Sequence, residues 1–378
     1  MIKGATAIIA LGLQLQGGAP LSVRAQDQFS DPSAVMKNDT ISFTTAPGWN
    51  LLSMPLEQTV MTPEGVFGDD FGEDFYSVYE YGGVLSGYVP ADSLELGRGF
   101  WLNSVDSRLV TAMGSPEKTT ILPLWIDWNI IGNPFKVQFE VCNLRFSDGI
   151  ETKSIIDAAL AGWLVNAVYG YSDGGYFIEE SALDIWIGYW ISLLQPNISV
   201  HYVWRDSSSF SHATEDGQMG SCARTRITAS MESDDRIVRT NSIEFGTDMN
   251  ATAGFDPAFD APMPPASGIL HPLLIGFEGP SEDRSLLLRD VRNRNAERWT
   301  LVVASTDTGN VLVSWSSIEM SEPFEFLVRN SASGVVVAES WEGRFEFTHH
   351  GASERFFIEK KPPLQEPPIL PGGMRSGR

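Results

Sequence analysis

A nine-residue motif occurs twice in this chain, and it constrains the fold more than any other feature of the sequence. The first copy spans residues 48–56 (GWNLLSMPL) and the second spans residues 127–135 (DWNIIGNPF). Both copies contain Trp-Asn, two apolar residues, two further residues, a proline and an apolar residue. A large aromatic side chain followed by a proline that ends strand pairing is typical of a strand running into a turn. The repeat therefore predicts two related β modules.

Each copy continues through a variable stretch to a tyrosine-rich run and then closes on a Gly-aromatic-Trp strand. The tyrosine-rich runs and closing strands are VYEY (78–81), VYGY (168–171), GFWL (99–102) and GYWI (188–191). A glycine in a strand lets a neighbouring backbone come close. The second copy is longer by about ten residues around 155–164, where apolar residues recur at steps of three and four. That spacing predicts a short amphipathic helix.

The repeated tryptophans have two interpretations. Core packing is the commoner use of an indole inside an apolar strand. The alternative is a platform on which sugar rings of a glycan stack. This tryptophan platform would consist of Trp49, Trp101, Trp128 and Trp190.

After the repeats, residues 207–224 are rich in Ser, Gly and acidic residues and are predicted to form a linker. Residues 241–266 are rich in Asp, Pro and Gly and predict a long loop. Short β-branched and aromatic runs then recur about every ten residues, which is typical of an antiparallel sandwich. The predicted strands are 270–277, 299–304, 311–316, 324–328, 334–338, 344–347 and 355–358. This region has no cysteine pair of the immunoglobulin kind, so the sandwich should be fibronectin-like.

The predicted fold class is all-β with one or two short helices: two tandem related β modules, then an antiparallel fibronectin/immunoglobulin-like β-sandwich. The predicted segments are β module 1 (41–115), β module 2 (121–206), a linker (207–224), the sandwich (225–361) and a disordered Pro-rich tail (362–378).

The N-terminus has the layout of a secretory signal peptide over residues 1–25. Lys3 gives a positive start, residues 5–15 are largely apolar, and Val23-Arg24-Ala25 offers small residues before a cut near Ala25. That apolar run is too short to span a bilayer. We therefore expect a secreted, extracellular or cell-surface protein with no transmembrane segment in its mature chain.

The balance of charge argues against some partners. The chain has 26 basic and 48 acidic residues, a net charge of −22. Such a field repels phosphate backbones, so no nucleic-acid partner is expected. No cofactor is predicted, although calcium is an alternative because oxygen ligands in a glycine-containing loop suit that ion. The calcium candidates are Asp248, Asn250, Asp256 and Asp260, and the competing interpretation is a loop whose side chains satisfy backbone groups.

No catalytic motif is recognisable in the sequence. The adjacent pair His349-His350 is a poor chelate, because neighbours on a strand point to opposite faces. Cys142 and Cys222 could form a disulfide or remain free thiols. The predicted function is a non-enzymatic structural, adhesion or glycan-binding module, with extracellular polysaccharide or other surface proteins as partners. The alternative is an exported polysaccharide hydrolase, which needs two facing carboxylates.

The two motif copies with their Gly-aromatic-Trp strands resemble the repeats of large secreted bacterial surface proteins. Residues 253–265 (AGFDPAFDAPMPP) are similar to the segment before the β-sandwich in proteins exported by type IX (por-type) secretion. The resemblance covers most of residues 41–361. It implies export and the architecture given above, and it provides no functional residues to transfer.

Overall fold

The protein is described by a computed structural model that covers residues 38–72, 75–83, 85–172, 174–203, 223–233, 236–239, 241–265, 273–281, 284–320, 325–339 and 343–361. All of these residues belong to one compact unit, Asn38–Arg378. Their fold is all-β, as predicted, with two short α-helices. The predicted signal peptide, the Pro-rich tail, Cys222 and the linker up to residue 222 lie outside the described residues.

Residues 39–114, which contain the first copy of the motif, are called repeat 1. Its elements are β1 Asp39–Thr44, β2 Gly48–Ser53, α1 Pro63–Phe71, β3 Tyr76–Tyr81, β4 Tyr88–Pro90, β5 Gly99–Ser104 and β6 Leu109–Gly114. Four strands form a sheet in the order β2-β5-β3-β4, and β1 pairs with β6 in a second sheet. The tyrosine-rich run and the closing run are both strands, as predicted.

Residues 119–203 form repeat 2. Its elements are β7 Thr119–Pro123, β8 Asp127–Gly132, β9 Phe139–Glu140, β10 Arg145–Ser147, β11 Thr152–Lys153, α2 Ile155–Leu160, β12 Val168–Ser172, β13 Gly175–Glu179, β14 Ala182–Leu183, β15 Gly188–Leu193 and β16 Ser199–Val203. One sheet has the order β8-β15-β12-β13 and another has the order β11-β10-β16-β7, while β9 pairs with β14.

The motif-containing sheets of the two repeats have the same strand order and the same register. In repeat 1, Leu51 lies opposite Trp101, and in repeat 2, Ile130 lies opposite Trp190. The ring centroids of Trp49 and Trp101 are 6.2 Å apart at 90°, and those of Trp128 and Trp190 are 6.1 Å apart at 90°. The two sheets therefore correspond strand by strand and ring by ring.

The two motif-containing sheets pack against each other reciprocally. The Ser53 N–H donates to the Trp186 carbonyl at 2.8 Å, and at the matching place in the other direction the Gly132 N–H donates to the Gly97 carbonyl at 2.9 Å. The closing glycine of repeat 1 is tightly enclosed, since a Cβ at Gly99 would overlap a side chain of repeat 2. The predicted close approach at this glycine is therefore correct, and the neighbour is the other repeat.

The aromatic side chains also cross between the repeats. Tyr171 of repeat 2 meets Trp101 of repeat 1 edge-on, with ring centroids 4.8 Å apart. Tyr81 of repeat 1 meets Trp190 of repeat 2 in the same way at 5.0 Å. Each closing tryptophan is thus covered by a tyrosine of the other copy.

The two helices differ in how well the sequence predicts them. The predicted helix is present as α2, where the Ser154 hydroxyl accepts a hydrogen bond from the Asp157 N–H at 3.1 Å. Helix α1 was not predicted, although Thr62 followed by proline is a strong helix start. The Thr62 hydroxyl accepts from the Gly65 N–H at 3.1 Å, and α1 buries Phe67 in the core of repeat 1. Neither helix is long and apolar enough to cross a membrane, a statement that covers the described residues only.

The remaining strands form the C-terminal sheet. They are β17 Ala223–Ser233, β18 Arg236–Arg239, β19 Ile243–Thr247, β20 Ala261–Pro262, β21 Leu273–Ser281, β22 Arg284–Arg292, β23 Arg298–Ser305, β24 Thr308–Met320, β25 Phe326–Asn330, β26 Val336–Glu339, β27 Gly343–His350 and β28 Glu354–Lys360. All seven predicted strands have counterparts here. Five further strands belong to the same sheet besides those seven: β17, β18, β19, β20 and β22.

Ten of these strands follow one hydrogen-bonded path, in the order β26-β25-β28-β23-β21-β22-β19-β17-β24-β27. Among the described strands the pairing is antiparallel except between β19 and β22. Phe245 on β19 and Phe326 on β25 lie five positions apart in the path, yet their ring centroids are only 5.2 Å apart. The sheet therefore folds back around a common core, which is compatible with a β-sandwich.

One predicted loop is partly wrong. Residues 241–266 were expected to be a long loop, but β19 lies within them and every one of its residues is buried. Short apolar runs bounded by Asn and Asp give little periodic signal, and burial decides their conformation.

The C-terminal sheet is docked on both repeats. The hydroxyl groups of Tyr88 and Tyr176, which occupy matching places in the two repeats, both donate to the Pro265 carbonyl, at 3.4 and 3.1 Å. Repeat 2 adds charged contacts, since Glu180 accepts from Arg224 at 2.6 Å and lies 3.4 Å from Arg289. Burial would raise the pKa of Glu180, but these arginines lower it below its usual value.

Candidate functional site

A groove lies between the two motif-containing sheets. Its volume is about 320 Å³, which is at the lower end of the range of small-molecule sites. Its lining combines two carboxylates, one guanidinium, an indole and a phenol. The lining residues are Glu80, Tyr81, Gly82, Glu95, Arg98 and Gly99 from repeat 1 and Trp125, Asn129 and Ile130 from repeat 2.

Trp125 is displayed by the tight turn that precedes β8. The Asn129 side chain accepts from the Trp125 N–H and donates to the Trp125 carbonyl, both at 2.8 Å, and also donates to the Asp127 carbonyl at 3.2 Å. Because the amide of Asn129 is fully used by the backbone, it fixes the turn. Trp125 is 57% exposed. An indole held this way on a rigid turn is preorganised for stacking on a ligand.

Arg98 is anchored at the rim of the groove by both repeats. Its Nε donates to Glu95 at 2.8 Å, and its Nη2 donates to the Pro123 carbonyl at 3.2 Å. Its guanidinium carbon lies 5.9 Å from the centre of the Trp125 ring, within reach of a cation–π interaction. Glu95 and Arg98 are therefore engaged with each other, and the guanidinium buttresses the indole.

Glu80 and Tyr81 are on β3, on the other wall of the groove. Among the described residues, the Glu80 carboxylate has no hydrogen-bond or ion-pair partner. Burial raises the pKa of Tyr81, and the Asp127 carboxylate adds to this rise. Tyr81 is therefore a neutral phenol at physiological pH, while Glu80 is an unpaired acceptor.

The matching crevice on the other side of the repeat pair has different residues. The Asn50 side chain accepts from the Ala46 N–H and donates to the Ala46 carbonyl, both at 2.9 Å. Asn129 bonds to Trp125 in the same way. The counterpart of Arg98 is Ile187, since each residue precedes the closing glycine and bridges to the other repeat. Gly170 stands at the position of Glu80 in the matching register. The second crevice therefore has Ala46, Ile187 and Gly170 where the groove has Trp125, Arg98 and Glu80.

An aromatic ring also fills the second crevice. Phe177 lies opposite Gly170 in the strand register, and its ring occupies the space that a Cβ of Gly170 would need. In repeat 1 the corresponding pair is Glu80 and Val89. The two crevices can therefore be compared directly. One is lined by charged and aromatic side chains, and the other is filled by the Phe177 ring.

The predicted tryptophan platform is not displayed on a surface. Trp101 and Trp190 are fully buried, Trp128 is 9% exposed, and Trp49 is partly buried against the same core. Three of the four indoles therefore have no face on which a sugar ring could stack. Their placement is that of core residues, which is the other interpretation given above.

The calcium candidates bond to the backbone. Asp248 accepts from the Asn250 N–H at 2.7 Å, and the Asp260 oxygens accept from the Asp256 and Val291 N–H groups at 2.8 and 2.9 Å. Asp256 in turn accepts from the Thr252 N–H at 2.5 Å. Within the described part of the chain, no group of three or more His, Cys, Asp or Glu residues is placed to hold a metal ion. The geometry therefore corresponds to the loop-stabilising interpretation.

Burial raises the pKa of Asp260 to about 7, against the effect of its two backbone hydrogen bonds. Burial also raises the pKa of Asp290, and the neighbouring Arg292 opposes that rise. Both carboxyls are structural and lie away from the groove lining. They make the C-terminal sheet sensitive to pH.

Other candidates from the sequence are separate from the groove. His349 is buried and His350 is exposed, on opposite faces of β27, so the pair does not converge on one ion. Cys142 is an exposed free thiol. Neither feature contributes to the groove.

The comparisons with known proteins give no relative: no family model, curated protein or solved structure matches this chain. The site therefore depends on its geometry alone. Sequence reasoning missed Trp125 because it lies three residues before the motif. Aligning the two copies outside the motif would have set Trp125 against Ala46 and shown that this position differs.

Proposed function

We propose that the protein is an exported, non-enzymatic glycan-binding module that binds extracellular polysaccharide in the groove around Trp125. The exposed indole of Trp125 carries this proposal. Aromatic rings flanked by a few polar groups favour sugars, because the apolar face of a sugar ring stacks on the indole while its hydroxyl groups need hydrogen-bond partners. Export is the expectation from residues 1–25.

The polar groups of the groove supply those partners. The Glu80 carboxylate is available as an acceptor, and Arg98 places a guanidinium beside the indole. The Arg98 side chain is already held by Glu95 and the Pro123 carbonyl, so little of its freedom is lost on binding. An adhesive module needs only this kind of site and no catalytic group.

The difference between the two crevices adds support. Packing alone does not require a tryptophan at position 125, since Ala46 is held by the same three-bond asparagine turn in repeat 1. At the edge of a groove, an indole supplies a large apolar face with a polar N–H group. A ligand for the groove accounts for its presence.

The test is a glycan array followed by titration of the best ligand into the full chain and into Trp125→Ala. We expect the substitution to weaken binding at least about tenfold, the effect of losing an aromatic anchor. The matched control is Ile126→Ala, because Ile126 is adjacent, 56% exposed and outside the groove lining. Equal binding by the two variants would reject the groove as the site.

One observation favours a second function, a polysaccharide hydrolase: two carboxylates, Glu80 and Glu95, line the same groove. Incubation with the bound polysaccharide separates the two functions. Release of reducing ends that stops in Glu80→Gln would support hydrolysis, whereas binding with no release of reducing ends would support the module proposed here.

A further inference from the structure

We infer that the groove selects glycans that carry a free, protonated amino sugar, and that Glu80 binds the ammonium group. This inference depends on the proposed function and narrows its ligand class. It starts from the carboxylate of Glu80, which lines the groove and has no partner among the described residues, while the other carboxylate there, Glu95, is engaged by Arg98 at 2.8 Å. A partly shielded carboxylate with no partner is a binding site for a donor that carries positive charge.

The charges around the groove favour a cation. The lining holds two carboxylates and one guanidinium, and the whole chain has a net charge of −22. That field raises the local concentration of cationic sugars and lowers that of uronic-acid or sulfated glycans. The electrostatic field therefore favours cationic over anionic glycans before they reach the groove.

The aromatic walls act in the same direction. The face of Trp125 attracts cations through its ring quadrupole, in addition to stacking on the sugar. Arg98 already uses this property at 5.9 Å from the Trp125 ring. A hexosamine can place its ring on the indole and its ammonium at Glu80.

The second crevice lacks the carboxylate. Gly170 replaces Glu80 there, and Phe177 fills the space above it. The carboxylate is therefore a property of repeat 1 alone, and we expect one amine-binding site in each chain.

The experiment titrates the full chain with two β-linked glucosamine oligosaccharides of equal length, one with free amines and one fully N-acetylated. Isothermal calorimetry at low salt should give a Kd about tenfold lower for the free amine, the range expected for a hydrogen bond between charged groups. Raising the salt concentration should reduce this ratio.

Substitutions assign the preference to its residue. Glu80→Gln should bring the ratio of the two Kd values to about one, because the amide keeps the shape and loses the charge. The matched control is Glu346→Gln, which removes the same charge from an exposed position on β27 outside the groove lining. It should leave the ratio unchanged.

The outcomes separate the two proposals. Equal or tighter binding of the N-acetylated sugar, with loss of both in Trp125→Ala, overturns the amine preference and leaves the glycan-binding module standing. A preference that survives Glu80→Gln overturns the assignment to Glu80. If no oligosaccharide binds, here or on the array, both proposals fail.

Discussion

Repeat 1 and repeat 2 share the residues that fold them and differ in the residues that line their crevices. The Trp-Asn pair, the paired tyrosines and the closing glycine occupy the same places in both sheets, with ring distances that agree within about 0.2 Å. Trp125 and Arg98 of the groove correspond to Ala46 and Ile187 at the matching positions of the other crevice. The shared residues define architecture, and the divergent ones identify where function should be sought.

The largest effect should come from the buried closing tryptophans. Trp101→Ala and Trp190→Ala should each lower the free energy of unfolding by about 3–5 kcal/mol, because each deletes a fully buried indole. Urea denaturation measures this change. Trp125→Ala, at an exposed position, should cost less than about 1 kcal/mol. A small loss at only one closing tryptophan would break the equivalence of the repeats.

The C-terminal sheet should respond to pH through Asp260. Its pKa of about 7 in the folded protein exceeds the unfolded value of 3.8, so its contribution to stability is greatest below pH 3.8 and is lost as the pH rises towards about 7. The loss should be about 3–4 kcal/mol. Chemical denaturation from pH 4 to pH 8 measures it.

Asp260→Asn is the control for this pH dependence and should flatten the decline. Part of the slope should remain, because the pKa of Asp290 is raised as well. Glu180, which makes the ionic contact between repeat 2 and the C-terminal sheet, has a lowered pKa and acts in the opposite sense, since its contribution is lost as the pH falls below its unfolded value of 4.5. An unchanged slope in Asp260→Asn would contradict the assignment.

The asparagine turns offer the sharpest comparison of the two crevices. Asn50→Ala and Asn129→Ala each remove three hydrogen bonds to the backbone and should lower stability by about 2–3 kcal/mol. Only Asn129→Ala should also weaken glycan binding, because only that turn carries Trp125. Equal binding in the two variants would mean that the turn does not position the ligand site.

The smallest effects should come from the two tyrosines that share one acceptor. Tyr176→Phe should lower the free energy of unfolding by about 1 kcal/mol. Tyr88→Phe should lower it by about 0.5 kcal/mol, because the hydrogen bond from Tyr88 to the Pro265 carbonyl is longer. The double variant should cost more than the sum, because the carbonyl loses both phenol donors. Additive losses in a double-mutant cycle would show that the repeats dock independently.

The sequence predicted the local elements well and the relations between them poorly. Motif spacing predicted the strands on both sides of each turn, and three- and four-residue periodicity predicted α2. The sequence pattern could not show that Tyr171 covers Trp101, because it does not indicate which sheet packs against which. For the same reason the four repeated tryptophans could not be assigned to the core from their pattern alone.

The groove could not be predicted from the sequence for a related reason. Trp125 lies in an apolar run with Leu122 and Leu124, which are buried, so composition does not mark it as exposed. Only the turn held by Asn129 turns it outward. The missed helix α1 is different, since Thr62-Pro63 carried a usable signal.

The crossed tyrosines mean that neither copy can be lost alone. Deleting one repeat would strip the cover from the indole of the survivor and expose an aromatic surface to water. We therefore expect the pair to melt as a single cooperative block. Residues at the rim of either crevice could then vary independently during evolution. The packing between the repeats could change only if both repeats changed together.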